Sequence, residues 1–442
     1  MADPDPAPLI PTRPVERITR RFLEFLHVES AGGVALMVAT AVALIVANSP
    51  LGPGYQRFFE QPFHIGVGDA SLSYPLWYWI NDALMAIFFF VIGLEIKREL
   101  VLGELREPRQ VVLPVAAAVG GAAVPVAVFL AFGLEPAARD GWAIPMATDI
   151  AFVVGCLALL GNRVPRGLKV LMLSLAIVDD IMAVLVIAFF YTGAIELGYL
   201  AAAGAGFAVI AGLNRIGVRT VPAYVVVGAV IWLFTLKSGV HPTVAGVLLG
   251  LLTPASAWLG QGTLLGVLDV ARRRLTGEDP TSSSEDQQSI DNLTIAAREA
   301  VSPLERLERD LHPWVAFGIM PVFALANANV RLEVQAIADP LSVAVATGLV
   351  VGKPLGIMLT CVLVTKLGWA RLPDGVGLPA LLGAGFLAGI GFTMALFIAS
   401  LGLEEPLLTS AKAGVLTGSL LSALLGFAVL IPVLRRSFRS VT

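Results

Sequence analysis

Long apolar runs separated by short polar segments make up most of the chain. They lie near residues 31–48, 77–96, 111–133, 142–160, 168–191, 196–213, 220–236, 241–258, 313–330, 341–365, 378–400 and 410–434. A helical membrane span needs about 20 predominantly apolar residues, so the pattern predicts about twelve transmembrane helices. The first run continues into Asn48-Ser49-Pro50 with no small-residue cleavage site and is read as an uncleaved span. Between the first two runs, residues 54–75 are polar and punctuated by Gly and Pro. Alternation in Phe63-His64-Ile65-Gly66-Val67 and the Gly68-Asp69 turn signal predict a small hairpin outside the membrane. Residues 276–290 are rich in Ser, Thr, Asp, Glu and Gln and predict a flexible linker. Charges at helical spacing over 291–312 predict a helix leading into the ninth run. The expected plan is an all-α polytopic membrane protein. It has an N-terminal tail (1–30), a transmembrane domain (31–434) with an external hairpin (54–75) and a cytoplasmic loop (259–312), and a C-terminal tail (435–442).

Composition agrees with that plan. Of the 442 residues, 57% are hydrophobic and 14% charged, and mean hydropathy is +0.82. A water-soluble domain carries about 25% charged residues. A net charge of −3 offers no basic field for nucleic acid. The two cysteines, Cys156 and Cys361, both fall in apolar runs and are read as core packing. Lysines and arginines set the orientation. With a cytoplasmic N-terminus, 24 of the 30 fall in inside segments and 5 (Arg57, Arg139, Lys237, Arg331, Lys412) outside. The bias places both termini in the cytoplasm. Trp77, Tyr78, Trp79 and Trp142 read as interfacial anchors, and Asn81-Asp82 as a helix cap at the start of span two.

Four charges lie where lipid should be. Asp179 and Asp180 occupy the middle of the apolar run from Val170 to Tyr191, Asp149 lies deep in the fourth run, and Lys353 is central in the tenth. Each costs about 2.5–3.5 kcal/mol on insertion scales. A structural salt bridge from Lys353 to one aspartate explains two of the four and leaves two carboxylates unpaired at mid-depth. Three acids and one base at one depth point instead to an ion site. Pro145 with Thr148-Asp149 interrupts the fourth run, and Gly383, Gly385, Gly389 and Gly391 with Thr393 interrupt the eleventh. Spans three to five and ten to twelve are triplets facing opposite ways in the membrane. Two interrupted spans in corresponding positions fit the inverted-repeat plan of secondary transporters, whose site lies at the midplane.

The residues themselves resemble a known family. Ala147-Thr148-Asp149-Ile150-Ala151-Phe152, Leu175-Ala176-Ile177-Val178-Asp179-Asp180, Gly352-Lys353-Pro354-Leu355-Gly356 and Gly389-Ile390-Gly391-Phe392-Thr393-Met394 resemble motifs of the NhaA family of bacterial sodium/proton antiporters. So do Gly93-Leu94-Glu95-Ile96-Lys97-Arg98-Glu99-Leu100 and Leu311-His312-Pro313-Trp314. The matches run in order from about residue 25 to 430.

The resemblance implies twelve helices with spans four and eleven unwound and crossing. It implies pH-regulated, electrogenic exchange of cytoplasmic Na+ or Li+ for external H+ in the inner membrane, serving sodium and pH homeostasis, with no cofactor beyond the transported ions. By motif, Asp180 would be the main cation ligand with Asp179 its neighbour, and Asp149 and Thr148 would line the break in span four. Lys353 would pair with Asp179 or balance the break. Glu95, Arg98, Glu99, Glu308 and His312 match a cytoplasmic cluster associated with pH response. Arg309, where well-known members have histidine, and Pro242 after His241 depart from the family pattern and bear on the pH set-point. Residues 54–75 are expected to form a homodimer contact by resemblance alone.

Consecutive helix residues diverge by about 100°, so Asp180 is expected to face a water-accessible cavity while Asp179 faces Lys353. His241, at the outer end of span eight, is a candidate pH sensor because imidazole titrates near neutrality, against a plain capping role. His27 and His64 read as carrying no function. An intramembrane aspartyl protease also needs two membrane aspartates, but the sequence around these lacks Tyr-Asp and Gly-X-Gly-Asp, and a midplane lysine has no place in that chemistry. A solute symporter of similar plan is the second alternative.

Overall fold

The computed structural model describes residues 29–67, 70–218, 221–275, 283–331 and 333–439. The N-terminal tail through residue 28 with His27, the Gly68-Asp69 turn and residues 276–282 of the expected linker lie outside the described residues.

Apolar runs become helices where they are expected. Span one is Glu29–Ala47, span two Leu76–Val101, span three Pro108–Ala131 and span five Arg166–Phe190. Spans six and seven are Leu197–Arg215 and Val221–Lys237, span ten Pro340–Lys366 and span twelve Leu407–Arg439. Span four is broken into Pro136–Met146 and Ile150–Leu159, and span eleven into Leu378–Ala388 and Phe392–Gly402; each pair is bent by 44°. The fold is an all-α polytopic membrane protein.

Span eight is shorter than the expected 241–258. Its helix is Thr243–Leu252, because Thr253 precedes Pro254 and takes an extended backbone. Span nine enters from the amphipathic helix Pro303–Trp314 and continues as a π turn, Val315–Ile319, and the helix Met320–Asn327.

The expected linker is partly helical. Ser283–Glu299 forms a helix packed on Gln261–Leu275, with Ala271 and Ala296 buried. The helix expected over 291–312 is interrupted at residues 300–302. Ser302 accepts a bond from the Glu305 amide while the Glu305 side chain reaches back, and Pro303 starts a new helix. The segment between spans one and two holds a helix, Gly52–Glu60, that the alternation did not signal, begun by Gly52-Pro53. The hairpin is confined to β1 (Pro62–Val67) and β2 (Ala70–Pro75), antiparallel with Pro62 opposite Pro75 and Val67 opposite Ala70.

Spans three and ten pack backbone to backbone. A Cβ on Gly356 would lie 2.0 Å from the Gly120 carbonyl oxygen, so only glycine permits this approach. The contact sets Lys353, one turn from Gly356, against the core of the bundle.

Candidate functional site

Spans four and eleven cross at their interruptions. In span four, Pro145 sits in a short 3-10 turn, Ile144–Met146; Ala147 and Asp149 are then extended before the helix resumes at Ile150. In span eleven the helix stops at Ala388 and restarts at Phe392. The freed backbone groups bond across the crossing. The Asp149 amide donates to the Ile390 carbonyl (2.8 Å) and the Thr148 hydroxyl to the Ala388 carbonyl (2.9 Å).

Asp149 stands where two helix N-termini converge. Its Oδ1 accepts from the Phe152 amide at 3.0 Å, capping the second half of span four. Its Oδ2 accepts from the Thr393 amide at 3.0 Å and from the Thr393 hydroxyl, at the start of the second half of span eleven. A carboxylate there is favoured by both helix dipoles. Lys353 also reaches the break, its Nζ donating to the Met146 carbonyl in the 3-10 turn of span four.

The same ammonium lies 2.8 Å from Asp179 Oδ2, with Lys353 0% and Asp179 1% exposed. The ammonium is thus shared between the Asp179 carboxylate and a backbone carbonyl at the break of span four. A π turn, Gly348–Gly352, places Lys353 at the head of the second part of span ten, Lys353–Lys366. Asp180 is buried at 3% exposure, among the charges of Asp179, Glu95, Asp149 and Lys353. All five residues expected at the ion site thus converge.

Arg98 and its partners form a second assembly. Arg98 pairs with Glu308 across spans two and nine and lies 3.3 Å from Glu99. Lys97 donates to the Leu251 carbonyl at the C-terminal end of span eight (2.7 Å). Burial pushes the Glu308 carboxyl up from its ordinary range, with Arg98 opposing. His312 lies one turn further along the helix of Glu308 and is exposed.

A profile of the Na+/H+ antiporter 1 family matches residues 23–430. The chain belongs to this family. It is 48% identical over 430 residues to the Na+/H+ antiporter NhaA of Rhodopirellula baltica, covering 97% of this chain and 98% of the relative. It is 49% identical over 435 residues to Na+/H+ antiporter NhaA 2 of Sorangium cellulosum, covering 96% and 92%. It is 46% identical over 432 residues to the Na+/H+ antiporter NhaA of Oleidesulfovibrio alaskensis, covering 96% of each. The chain is thus a multi-pass membrane transporter of the Na+/H+ antiporter family and not an enzyme.

This antiporter also holds polar residues that the sequence reading assigned otherwise or left out. Asn81 and Asp82 do not cap span two. They lie inside it, in the π turn Ile80–Leu84, 5% and 7% exposed. Asn81 exchanges amide bonds with Asn327 of span nine at 3.3 and 2.7 Å. Asp82 Oδ1 lies 3.3 Å from His241 Nε2, whose other ring nitrogen bonds the Thr243 hydroxyl at 2.7 Å. A carboxylate six residues into the helix beginning at Leu76 was the available signal. Thr393 was noted only as a helix interruption, and no spacing rule links it to Asp149, 244 residues away.

Proposed function

We propose that this antiporter exchanges cytoplasmic Na+ or Li+ for external H+ by alternating access, electrogenically and under pH control. We place it in the bacterial inner membrane with both termini cytoplasmic, serving sodium and pH homeostasis. The observation that carries the reading is the Asp180 carboxylate beside the Lys353–Asp179 pair, at the crossing of two broken spans. A dehydrated alkali cation needs hard oxygen ligands. Asp180 is the main one, with Asp179, Asp149, the Thr148 hydroxyl and freed carbonyls at the crossing completing the set.

Proton and cation compete for the same carboxylate oxygens. A site that releases protons to take up a cation on one face, and reverses on the other, exchanges the two with no covalent step and no resident cofactor. Cation arrival beside Asp179 weakens its bond to Lys353, and the freed lysine can release a proton. Two acids and a lysine titrating as one coupled unit can carry more protons inward than sodium ions outward. Arg98, Glu95, Glu99, Glu308 and His312 at the cytoplasmic face, and His241 towards the outside, are the pH-responsive groups. Phe63 and Ile65 of the external hairpin are about half exposed (50% and 49%), which suits the hairpin to a homodimer contact, with the apolar faces of the bundle in lipid.

The test is counterflow of labelled sodium against a pH gradient in proteoliposomes. The unsubstituted protein should accumulate sodium, and Asp180→Asn should not while still inserting and folding. Normal antiport by Asp180→Asn would overturn the site assignment. Sodium moving in the same direction as protons would mark a symporter.

A further inference from the structure

Phe397, on the outer half of span eleven, is 0% exposed and seats its ring among three others from three different spans. Phe89 of span two lies at 5.7 Å between ring centroids, His241 beside span eight at 5.4 Å and Phe323 of span nine at 6.2 Å. Phe397 is six residues outward of Gly391, about 9 Å at the helical rise of 1.5 Å per residue. Its ring therefore lies between the ion site and the outside.

The layers on either side have opposite character. Inward of the rings are Asp149 and the other charges of the crossing. Outward is the buried polar set of Asp82, His241, Asn81 and Asn327. Span two runs inward from Asp82 to Phe89, and span nine outward from Phe323 to Asn327, so both spans give the same order. Spans two and eight leave no passage between themselves. A Cβ on Gly246 would lie 2.2 Å from the Ala86 carbonyl oxygen, and one on Gly93 2.5 Å from that of Val247. Phe397 fills the place where span eleven meets spans two, eight and nine.

We infer that Phe397 is the external barrier of the ion path: its ring closes the site against the outside and leaves this seat when the site opens outward. The inference rests on the exchange reading above. An apolar constriction blocks a hydrated ion by excluding its water, and a ring held by packing alone can withdraw without breaking an ion pair. The role also accounts for the outer polar cluster. A carboxylate, an imidazole and two amides buried beyond an apolar layer have no place in simple packing. As the wall of an external vestibule, they meet the ion and its water once the ring has moved.

Two measurements test it. In proteoliposomes of the full chain, the unsubstituted protein should pass protons only when sodium is present. Phe397→Ala should add a severalfold proton flux in sodium-free medium, a loss of coupling that mere loosening of packing would not produce, while Phe397→Tyr should restore tight coupling. Absence of sodium–proton exchange in the unsubstituted protein overturns both readings. Tightly coupled exchange in Phe397→Ala overturns the barrier alone. The second measurement is made where Cys156 and Cys361 are replaced by alanine, and joins Phe89→Cys to Phe397→Cys with a short, reducible bifunctional thiol reagent. Exchange should stop on cross-linking and resume on reduction. Exchange that runs unchanged with the two positions joined shows that the ring never leaves its seat, and overturns the inference.

Discussion

Asp149 and Thr393 join the two broken spans twice over, the carboxylate Oδ2 receiving both the amide and the hydroxyl of the threonine. Because Oδ1 also caps Ile150–Leu159, one carboxylate holds the start of two helices. Asp149→Ala should therefore cost more than one cap, and a single cap is typically worth about 0.5–2 kcal/mol. Asp149→Asn keeps one acceptor oxygen and should lose less in thermal melting. In transport assays Asp149→Asn should raise the apparent KM for sodium more than it lowers the maximal rate. Equal melting temperatures for the two variants would mean that the caps contribute nothing. An unchanged KM would place Asp149 outside the cation's ligand set.

Glu308 gives a pH-dependent prediction. Its carboxyl is raised by burial, with Arg98 opposing, so the folded protein holds that proton more tightly than the unfolded chain does. A raised acid favours the fold at low pH and loses that contribution as pH climbs through the raised value. Glu308→Gln is neutral throughout and carries no such slope. Melting temperatures measured from acid to neutral pH should thus fall for the unsubstituted protein relative to Glu308→Gln. The variant should also shift the pH–activity curve without changing ion selectivity. Parallel melting curves would place the proton-linked change elsewhere.

The packing of spans three and ten is tested at Gly356. The added methyl of Gly356→Ala would meet the Gly120 carbonyl at 2.0 Å and could fit only by moving one helix. The loss should exceed the ~1–3 kcal/mol of an ordinary overpacked core. Transport should fall with it, because Lys353 is displaced along with its helix. A variant that melts like the unsubstituted protein would show that the helices have room to part.

The twelve runs and both broken spans were legible because lipid leaves few alternatives: apolar length and the cost of a bare backbone dictate helices. The motif residues at the crossing were legible for the same reason, since Asp149, Asp179, Asp180 and Lys353 are too costly at mid-depth to be incidental. Asp82 was misread because Asn81-Asp82 near the start of a run looks like a cap, and only the contact with His241 identifies it as buried. The helix at Ser283–Glu299 was hidden by its polar composition; what holds it is packing on a neighbour that no local pattern specifies. Thr393 and Phe397 derive their meaning from partners far away in the sequence, in spans two, four, eight and nine.

Lys353 and Asp179 allow the most direct energetic test. The ammonium has two acceptors, Asp179 Oδ2 at 2.8 Å and the Met146 carbonyl, and both it and the carboxylate are sealed from water. Removing the lysine leaves a buried carboxylate without its counter-charge, and breaking such a pair typically costs about 3–5 kcal/mol. Lys353→Ala should therefore lower melting temperature as well as transport. Lys353→Arg keeps the charge and should retain more of both. Combining Lys353→Ala with Asp179→Asn should recover stability relative to Lys353→Ala alone, since neither charge is then stranded. Recovery should be incomplete, because the Met146 carbonyl still lacks its donor at the end of the broken helix. A full double-mutant cycle separates the two roles. A large coupling energy assigns the lysine chiefly to Asp179. Strict additivity of the single variants would mean that the ion pair contributes nothing, and would leave the lysine as the counter-charge of span four.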